Sequence, residues 1–185
     1  MMKSNKKNLE NAFEIASILL TAVLAVGIIF TFFFKISTVS GQSMENTLHD
    51  GDNLIITSIT NKIEPGDVVV ISQPNGYEKV LIKRVVAVEG QTVSFDHTTG
   101  KTMINGKIID EPYIKEKADY TYAMTKTYTV PKDKIFVMGD NRNHSADSRD
   151  IAVGMIDEDY VMGKVVYRIG DAELFNSDLK EIQNG

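Results

Sequence analysis

Residues 18–34 read ILLTAVLAVGIIFTFFF and decide how the chain divides. With their flanks they give 20 residues, 15–34, without a charged side chain. At about 1.5 Å per helical residue this segment spans roughly 30 Å of hydrocarbon. Its length and all-round apolarity predict a single transmembrane helix over residues 15–34. A buried core helix is the alternative, but three consecutive phenylalanines leave no polar face for water.

The sequence on either side of this run predicts an uncleaved signal anchor. A cleaved signal peptide has a shorter apolar core of about 7–15 residues, and residues 35–40 offer only a poor small-x-small cleavage site. Lysines at positions 3, 6 and 7 precede the run, so the positive-inside rule keeps the N-terminus in the cytoplasm. We expect a single-pass protein of the cell membrane, with a cytoplasmic N-terminus (1–14), the anchor (15–34), one extracytoplasmic domain (35–170) and a polar tail (171–185).

Charge and composition narrow the functions of the exterior part. Residues 1–35 carry a net charge of +2, so the total of −5 leaves −7 for residues 36–185. An acidic exterior argues against nucleic acid as a partner. The chain has no cysteine, which excludes thiol nucleophiles, thiolate metal sites and disulfides. Histidines at positions 49, 97 and 144 lack the spacing of a metal site, so we expect no metal and no cofactor.

Beyond residue 35 the pattern changes to short apolar runs separated by turn residues, which is typical of antiparallel β structure. Asn105-Gly106 lies between two apolar pairs and is the strongest hairpin signal, because both central residues of a type I′ turn need a positive φ. The predicted fold class is mainly β: a single N-terminal transmembrane helix followed by an antiparallel β-sheet domain. The predicted strands are 53–59, 67–72, 80–88, 92–95, 102–109, 120–130, 135–138 and 160–169.

The segment SGQSMENTL, residues 40–48, contains the first candidate catalytic residue, Ser43. A serine alone means little, since most serines solvate a surface or cap a turn. Ser43, however, lies at the exit of the predicted membrane span, and Gly41 allows a substrate backbone to approach closely. Because a serine hydroxyl is a weak nucleophile, a neighbouring base must take its proton.

A lysine within an apolar strand pattern, Lys83 in VLIKRVVAV at 80–88, is the candidate base. The period of two separates Lys83 from Arg84, so one of these cations must lie among apolar neighbours if the face is covered. A buried ammonium loses hydration, its pKa falls, and the neutral amine can act as a base near neutral pH. Alternatively, Lys83 reaches solvent over its aliphatic stem. The residues predicted to share its face are Leu81, Val85 and Ala87.

The segment GDNRNHSADSRD, residues 139–150, is the most specific constellation of the chain. It follows an apolar strand and carries more hydrogen-bonding side chains than a simple turn needs. A calcium loop is one alternative, but the spacing of an EF-hand and its terminal glutamate are missing. A solvated loop is the other, in which Asp147 and Arg149 pair at little net energy.

Together these stretches resemble type I signal peptidases, the Ser-Lys membrane proteases that remove signal peptides from exported proteins. The resemblance runs from the anchor through Ser43-Met44 to Lys83-Arg84 and the segment 139–149. It implies an endopeptidase that works through an acyl-enzyme, with Ser43 as nucleophile and Lys83 as general base.

The resemblance also implies supporting residues around this pair. Ser145 orients the lysine amine, Asp147 and Arg149 brace their loop, and Gly139 packs near the lysine. The backbone N–H of Ser43 holds the oxyanion. Gly41 stands where some relatives have a serine that supplies a second donor.

The substrate implied by the resemblance is a preprotein that is cleaved after small residues. Shallow apolar pockets should select those residues, with walls from Val39, Leu81 and Ile82, and Met44 with the anchor's exit should keep the site at the bilayer surface. The extended substrate would pair with strand edges near 38–41 and 80–82. Besides preproteins, the expected partners are membrane lipid and the secretion translocon.

The chain departs from the usual family pattern at several positions. The family commonly has proline where Asn46 stands, and K-R-x-x-G-x-P-G-D where this chain has Ala87, Glu89 and Gln91. The segment 107–130 is too short for the large accessory domain of some relatives, so we expect the compact form found in Gram-positive members.

Two other functions compete with this interpretation. A Ser-His-Asp hydrolase could use His144 with Asp140 or Asp147, and a membrane-anchored binding module would need no catalytic residues. A sortase is excluded because the chain has no cysteine.

Overall fold

The chain begins with a long helix, α1 (Met2–Phe33). The computed structural model describes residues 2–58, 62–72, 74–119 and 127–170. The 24 residues Glu10–Phe33 are long and apolar enough to cross a membrane, and none of them is buried against protein. The core-helix alternative therefore has no support. The helix ends one residue earlier than predicted, because Phe34 already belongs to the first strand.

The structure divides into two compact units, residues 1–35 and 36–185. The described residues after α1 form eleven strands: β1 (Phe34–Thr38), β2 (Asn53–Thr57), β3 (Val68–Ile71), β4 (Leu81–Val88), β5 (Thr92–Asp96), β6 (Lys101–Ile104), β7 (Lys107–Ile108), β8 (Tyr128–Thr129), β9 (Lys134–Met138), β10 (Ile156–Asp157) and β11 (Val161–Arg168).

Seven of these strands form one sheet in the order β1-β2-β11-β3-β4-β9-β10, and the pairings from β2 to β10 are all antiparallel. Both faces of its central strands are covered. Val69 and Ile71 of β3 pack into one apolar cluster, and Val68 and Val70 pack into another. This explains why β3 reads as a continuous apolar run rather than an alternating one.

A smaller antiparallel sheet has the order β7-β6-β5-β8. Its hairpin turns at Asn105-Gly106, whose φ angles are 51° and 78°, and Met103 pairs with Ile108 across it. The predicted hairpin and the predicted fold class, mainly β with an antiparallel sheet, are both confirmed.

The bulge in β4 corrects one prediction about faces. Val85 pairs with Val137 and Ala87 with Phe136, so Val86 is the extra residue. Leu81 and Val85 share a core cluster as predicted, but Ala87 packs with Val86 in a different one. The period of two fails at Ala87 because a bulge shifts the alternation by one residue.

The remaining comparisons concern individual strands and the C-terminal tail. The strands β1 and β10 were not predicted. Of the predicted strand 120–130, residues 120–126 lie outside the described part, and Tyr128–Thr129 form a strand in the remainder. The predicted tail, 171–185, also lies outside it.

Candidate active site

A hydrogen bond joins the two residues that the sequence singled out. The Lys83 amine Nζ lies 2.6 Å from Ser43 Oγ and 3.0 Å from the carbonyl oxygen of Ile82. Lys83 comes from β4 and Ser43 from the turn that follows β1. Only 3% of Lys83 is exposed, so the alternative in which it reaches solvent is wrong.

Burial decides the protonation of this lysine. It lowers the pKa of the Lys83 amine from 10.5 to about 8, because the ammonium loses its hydration. The carboxylates of Asp147 and Asp140 act in the opposite direction, and Arg149 adds to the lowering. In the described residues Lys83 makes no ion pair of its own. Near neutral pH a minor fraction of the amine is therefore neutral and able to accept a proton, and this fraction grows as the pH rises through about 8.

The loop after β9 is braced by a buried ion pair. Asp147 is fully buried and accepts two hydrogen bonds of 2.8 Å from Arg149. Its Oδ2 also accepts the backbone N–H of Gly139 at 3.0 Å. Burial favours the neutral acid, but the bonds and charge of Arg149, the N–H of Gly139 and the hydroxyl of Ser145 together outweigh it and hold the pKa of Asp147 below its usual value.

Gly139 lies against the nucleophile segment. A Cβ at this position would overlap the carbonyl oxygen of Ser43 and the side chain of Ser145. The structure therefore brings Gly139 close to Ser43 itself, through its backbone, and no larger residue fits without a shift.

Ser145 does not make the hydrogen bond that the resemblance implies. Its buried Oγ makes no hydrogen bond to the Lys83 amine, which uses Ser43 Oγ and the Ile82 carbonyl oxygen; the hydroxyl instead helps to keep the pKa of Asp147 low. The second hydrogen-bond partner of the Lys83 amine is thus the carbonyl oxygen of its own neighbour in the strand, Ile82.

The second oxyanion donor is also missing at Gly41. This residue has no side chain, adopts a φ of +95° and gives its own N–H to Asp50 Oδ1 at 2.7 Å. The backbone N–H of Gly41 is thus engaged elsewhere.

Sequence reasoning missed a buried network beside the pair. Arg84 is fully buried and forms a two-pronged ion pair with Asp140, with N–O distances of 2.9 and 2.7 Å. Asp140 Oδ2 also accepts from Thr47 Oγ1 at 2.5 Å, and the ring of Tyr113 stacks on the Arg84 guanidinium at 4.0 Å. An arginine in an apolar strand pattern signals such a partner, but the sequence does not say which carboxylate it is.

A second buried ion pair holds the same loop from the other side. Arg142 bonds to both oxygens of Glu111, at 2.5 and 3.1 Å, and to Thr102 Oγ1 of the smaller sheet. It also donates to the carbonyl oxygen of Gly139. Neither Arg142 nor Glu111 was predicted from the sequence to support the site.

His144 is not placed for a Ser-His-Asp triad. It is exposed, and within the described residues its side chain makes no hydrogen bond to Ser43, Asp140 or Asp147. Both aspartates are instead bound by arginines. Because the arginines bind both carboxylates, neither aspartate is free to bind calcium as the calcium-loop alternative requires.

An open cleft of about 210 Å³ leads to the pair. The four residues proposed from the sequence to bind substrate, Val39, Met44, Leu81 and Ile82, all line it, together with Ser43 and Lys83. On the β9 side, β4 is unpaired before Arg84, since β9 begins pairing only there. That leaves the backbone edge of residues 81–83 open toward an incoming chain.

This arrangement, a buried lysine amine bonded to a serine hydroxyl at the end of a strand-edged cleft, is that of a Ser-Lys hydrolase acting on extended peptides. The signal peptidase family, peptidase S26, matches residues 12–169. A signal peptidase I from Bacillus licheniformis is 37% identical over 172 residues, which cover 86% of this chain and 88% of the relative. The chain belongs to the signal peptidase family and is a serine endopeptidase.

Two further relatives extend the comparison. Signal peptidase IB from Staphylococcus aureus (strain Mu50 / ATCC 700699) is 35% identical over 175 residues, 81% of this chain and 88% of the relative. The crystal structure of a signal peptidase I from Enterococcus faecalis V583 is 26% identical and covers 56% of this chain and 96% of its own, with a TM-score of 0.45. The apolar N-terminal helix and the family fit a membrane-anchored protein.

Proposed function

We propose that this protein removes signal peptides from exported preproteins, with Ser43 as nucleophile and Lys83 as general base. The observation that carries the proposal is the 2.6 Å hydrogen bond between the buried amine and the serine hydroxyl. The lowered pKa of Lys83, about 8, supports the role of the amine as a base.

The reaction proceeds in two steps that share one base. Neutral Lys83 takes the proton of Ser43 Oγ as the oxygen attacks the scissile carbonyl, and the resulting ammonium gives this proton to the leaving amine. An ester then links the signal peptide to Ser43, and the mature chain departs. Lys83, neutral again, takes a proton from the water that attacks the ester, and the ammonium returns this proton to Ser43 Oγ as the signal peptide leaves.

The cleft binds the residues that precede the scissile bond. An extended chain added along the open edge of residues 81–83 gains backbone hydrogen bonds, and alternate side chains point into pockets. Val39 and Leu81 are buried and line the cleft together with Ile82 and Met44. Apolar walls this close to the nucleophile leave room for small side chains, which explains a preference for small residues before the cleavage site.

The membrane topology follows from charge. Lysines at positions 3, 6 and 7 favour a cytoplasmic N-terminus, so residues 36–185 lie outside the cytoplasm. The partners are then preproteins, the lipid around residues 15–34 and, where the substrate is delivered, the secretion translocon.

Cleavage of a small-x-small precursor by the full chain in detergent tests the catalytic pair. We expect Ser43→Ala and Lys83→Ala to lose activity, and the wild-type rate to rise with pH through an apparent pKa of about 8. His144→Ala and Lys101→Ala, which change exposed residues, are matched controls and should keep the wild-type rate. An active Lys83→Ala variant would exclude the lysine as base, and an inactive His144→Ala variant would favour a histidine mechanism.

A further inference from the structure

Asn141 holds the two peptide groups on either side of the nucleophile. Its side-chain Nδ2 donates to the carbonyl oxygen of Gln42 at 3.0 Å, and its backbone N–H donates to the carbonyl oxygen of Ser43 at 3.0 Å. Asn141 is 1% exposed. Both bonds cross from the loop after β9 to the turn after β1, so they fix the nucleophile segment against the loop.

The first of these bonds sets the direction of the Ser43 N–H. The carbonyl of Gln42 and the N–H of Ser43 belong to one planar trans peptide group, in which they point in opposite directions. A donor that fixes the carbonyl therefore fixes the N–H. Donation to the carbonyl also polarises the amide and strengthens its N–H as a donor. The backbone N–H of Glu45 reaches the same oxygen at 3.2 Å, so Asn141 supplies the shorter of two bonds.

The orientation of this N–H matters because the position that supplies a second oxyanion donor in some relatives is a glycine here, Gly41. Gly41 offers no hydroxyl, and its own N–H is bound to Asp50. The Ser43 N–H then carries the main stabilisation of the charge that develops on the substrate carbonyl oxygen. Such stabilisation is effective only when the donor is already aimed before the reaction begins.

We infer that Asn141 is a positioning residue of the oxyanion hole, which aims the backbone N–H of Ser43 by holding the carbonyl of Gln42. The inference rests on the proposed role of Ser43. It adds that the side-chain amide of Asn141 acts on the transition state through the peptide group, without touching substrate or the Lys83 amine.

Asn141→Leu is the direct test. Leucine has the same number and branching of side-chain heavy atoms and cannot donate, and because Asn141 Oδ1 has no partner, the substitution removes one side-chain hydrogen bond and no other. Asn143→Leu is the control: the same change two positions along the loop, at an exposed residue whose side chain donates to Glu116 and Lys117 and accepts from the backbone N–H of Asp119. Asn141→Asp, which keeps the side-chain shape but replaces the amide donor by a carboxyl group, is the second variant if the leucine variant does not fold.

We expect kcat of Asn141→Leu to fall about 10-fold to 100-fold, less than the roughly 10²–10³-fold loss that follows complete removal of such a donor. KM and the apparent pKa of the rate should stay at the wild-type values, because neither ground-state binding nor Lys83 is changed. A peptide aldehyde, whose adduct with Ser43 carries an oxyanion, should bind more weakly by a similar factor. The product peptide should bind equally well.

The outcomes separate this inference from the proposed function. A wild-type kcat in Asn141→Leu, or equal losses of aldehyde and product-peptide binding, would overturn the role of Asn141 even if Ser43→Ala is inactive. An active Ser43→Ala variant would overturn the proposed nucleophile instead. A kcat loss in Asn143→Leu as large as in Asn141→Leu would show a general loop effect and would also overturn the inference.

Discussion

Replacing Lys83 by methionine measures what the buried amine costs the folded state. Methionine keeps most of the side-chain length and carries no charge. The pKa of Lys83 is about 8 in the folded protein against 10.5 for a free side chain. Between these two pH values the unfolded chain binds the proton and the folded chain does not, so the free energy of unfolding rises with pH across this window. At 1.36 kcal/mol per unit, the rise is about 3 kcal/mol.

The methionine variant has no such dependence but loses two hydrogen bonds, to Ser43 Oγ and the Ile82 carbonyl oxygen. Each contributes about 1 kcal/mol net. We therefore expect Lys83→Met to be about 1 kcal/mol more stable than the wild type below pH 8 and about 2 kcal/mol less stable above pH 10.5, with a crossing between.

Urea unfolding of the full chain in detergent, followed by circular dichroism from pH 6.5 to pH 10.5, gives both curves. Other groups that titrate in this range are shared by the two proteins, so they cancel in the difference. Lys101→Met, at an exposed lysine, is the matched control, and its free energy of unfolding should differ from that of the wild type by the same amount at every pH. If the free energies of unfolding of Lys83→Met and the wild type also differ by a constant amount across this pH range, the amine is not desolvated in the folded protein and the argument for a neutral base fails.

Substitutions at three further places, namely Gly139, Ser145 and the Arg142–Glu111 pair, test the surrounding structure. Gly139→Ala should lower kcat about 10²-fold, because the added Cβ displaces the Ser43 carbonyl; kinetics at saturating precursor measure this, and a wild-type kcat would contradict the close contact. Ser145→Ala should lower the free energy of unfolding by at most about 1 kcal/mol and leave the Lys83 amine in place, since the hydroxyl acts on Asp147 and not on the lysine; a loss of activity as large as that of Lys83→Ala would contradict this. Arg142→Met should cost about 3–5 kcal/mol by leaving Glu111 buried and unpaired. The double variant with Glu111→Leu should recover most of that loss, and failure to recover would mean that the pair is not the source of the cost.

Local features of the fold were predictable because they depend on neighbouring residues. The Asn105-Gly106 hairpin needs only the two residues that tolerate a positive φ. The placement of Lys83 in a strand likewise follows from the apolar run around it. The bulge at Val86 was not predictable, since nothing in VVAV distinguishes a bulged residue from a regular one.

The network around Arg84 was beyond the sequence for a different reason. Arg84 and Asp140 are 56 positions apart, and they meet because Arg84 pairs with Met138 at the end of β9. That register fixes where the loop begins, but it follows from the packing of the whole sheet. The bond from the Lys83 amine to the Ile82 carbonyl was missed because it depends on a side-chain conformation, which no pattern of residue types encodes.

The arginines around the loop explain how two adjacent cations of one strand can both be buried. Asp140 and Asp147 both raise the pKa of Lys83, and either carboxylate without a partner would favour the charged amine more strongly. Arg84 binds the first and Arg149 the second, so each guanidinium offsets a negative charge that would otherwise keep the lysine protonated. Arg84 is itself permanently charged and needs a counter-ion to be buried, whereas Lys83 can be buried by losing its proton. β4 thus carries two adjacent basic residues that are buried in different ways. Arg84 is paired with a carboxylate from the loop, and Lys83 has no ion pair and loses its proton.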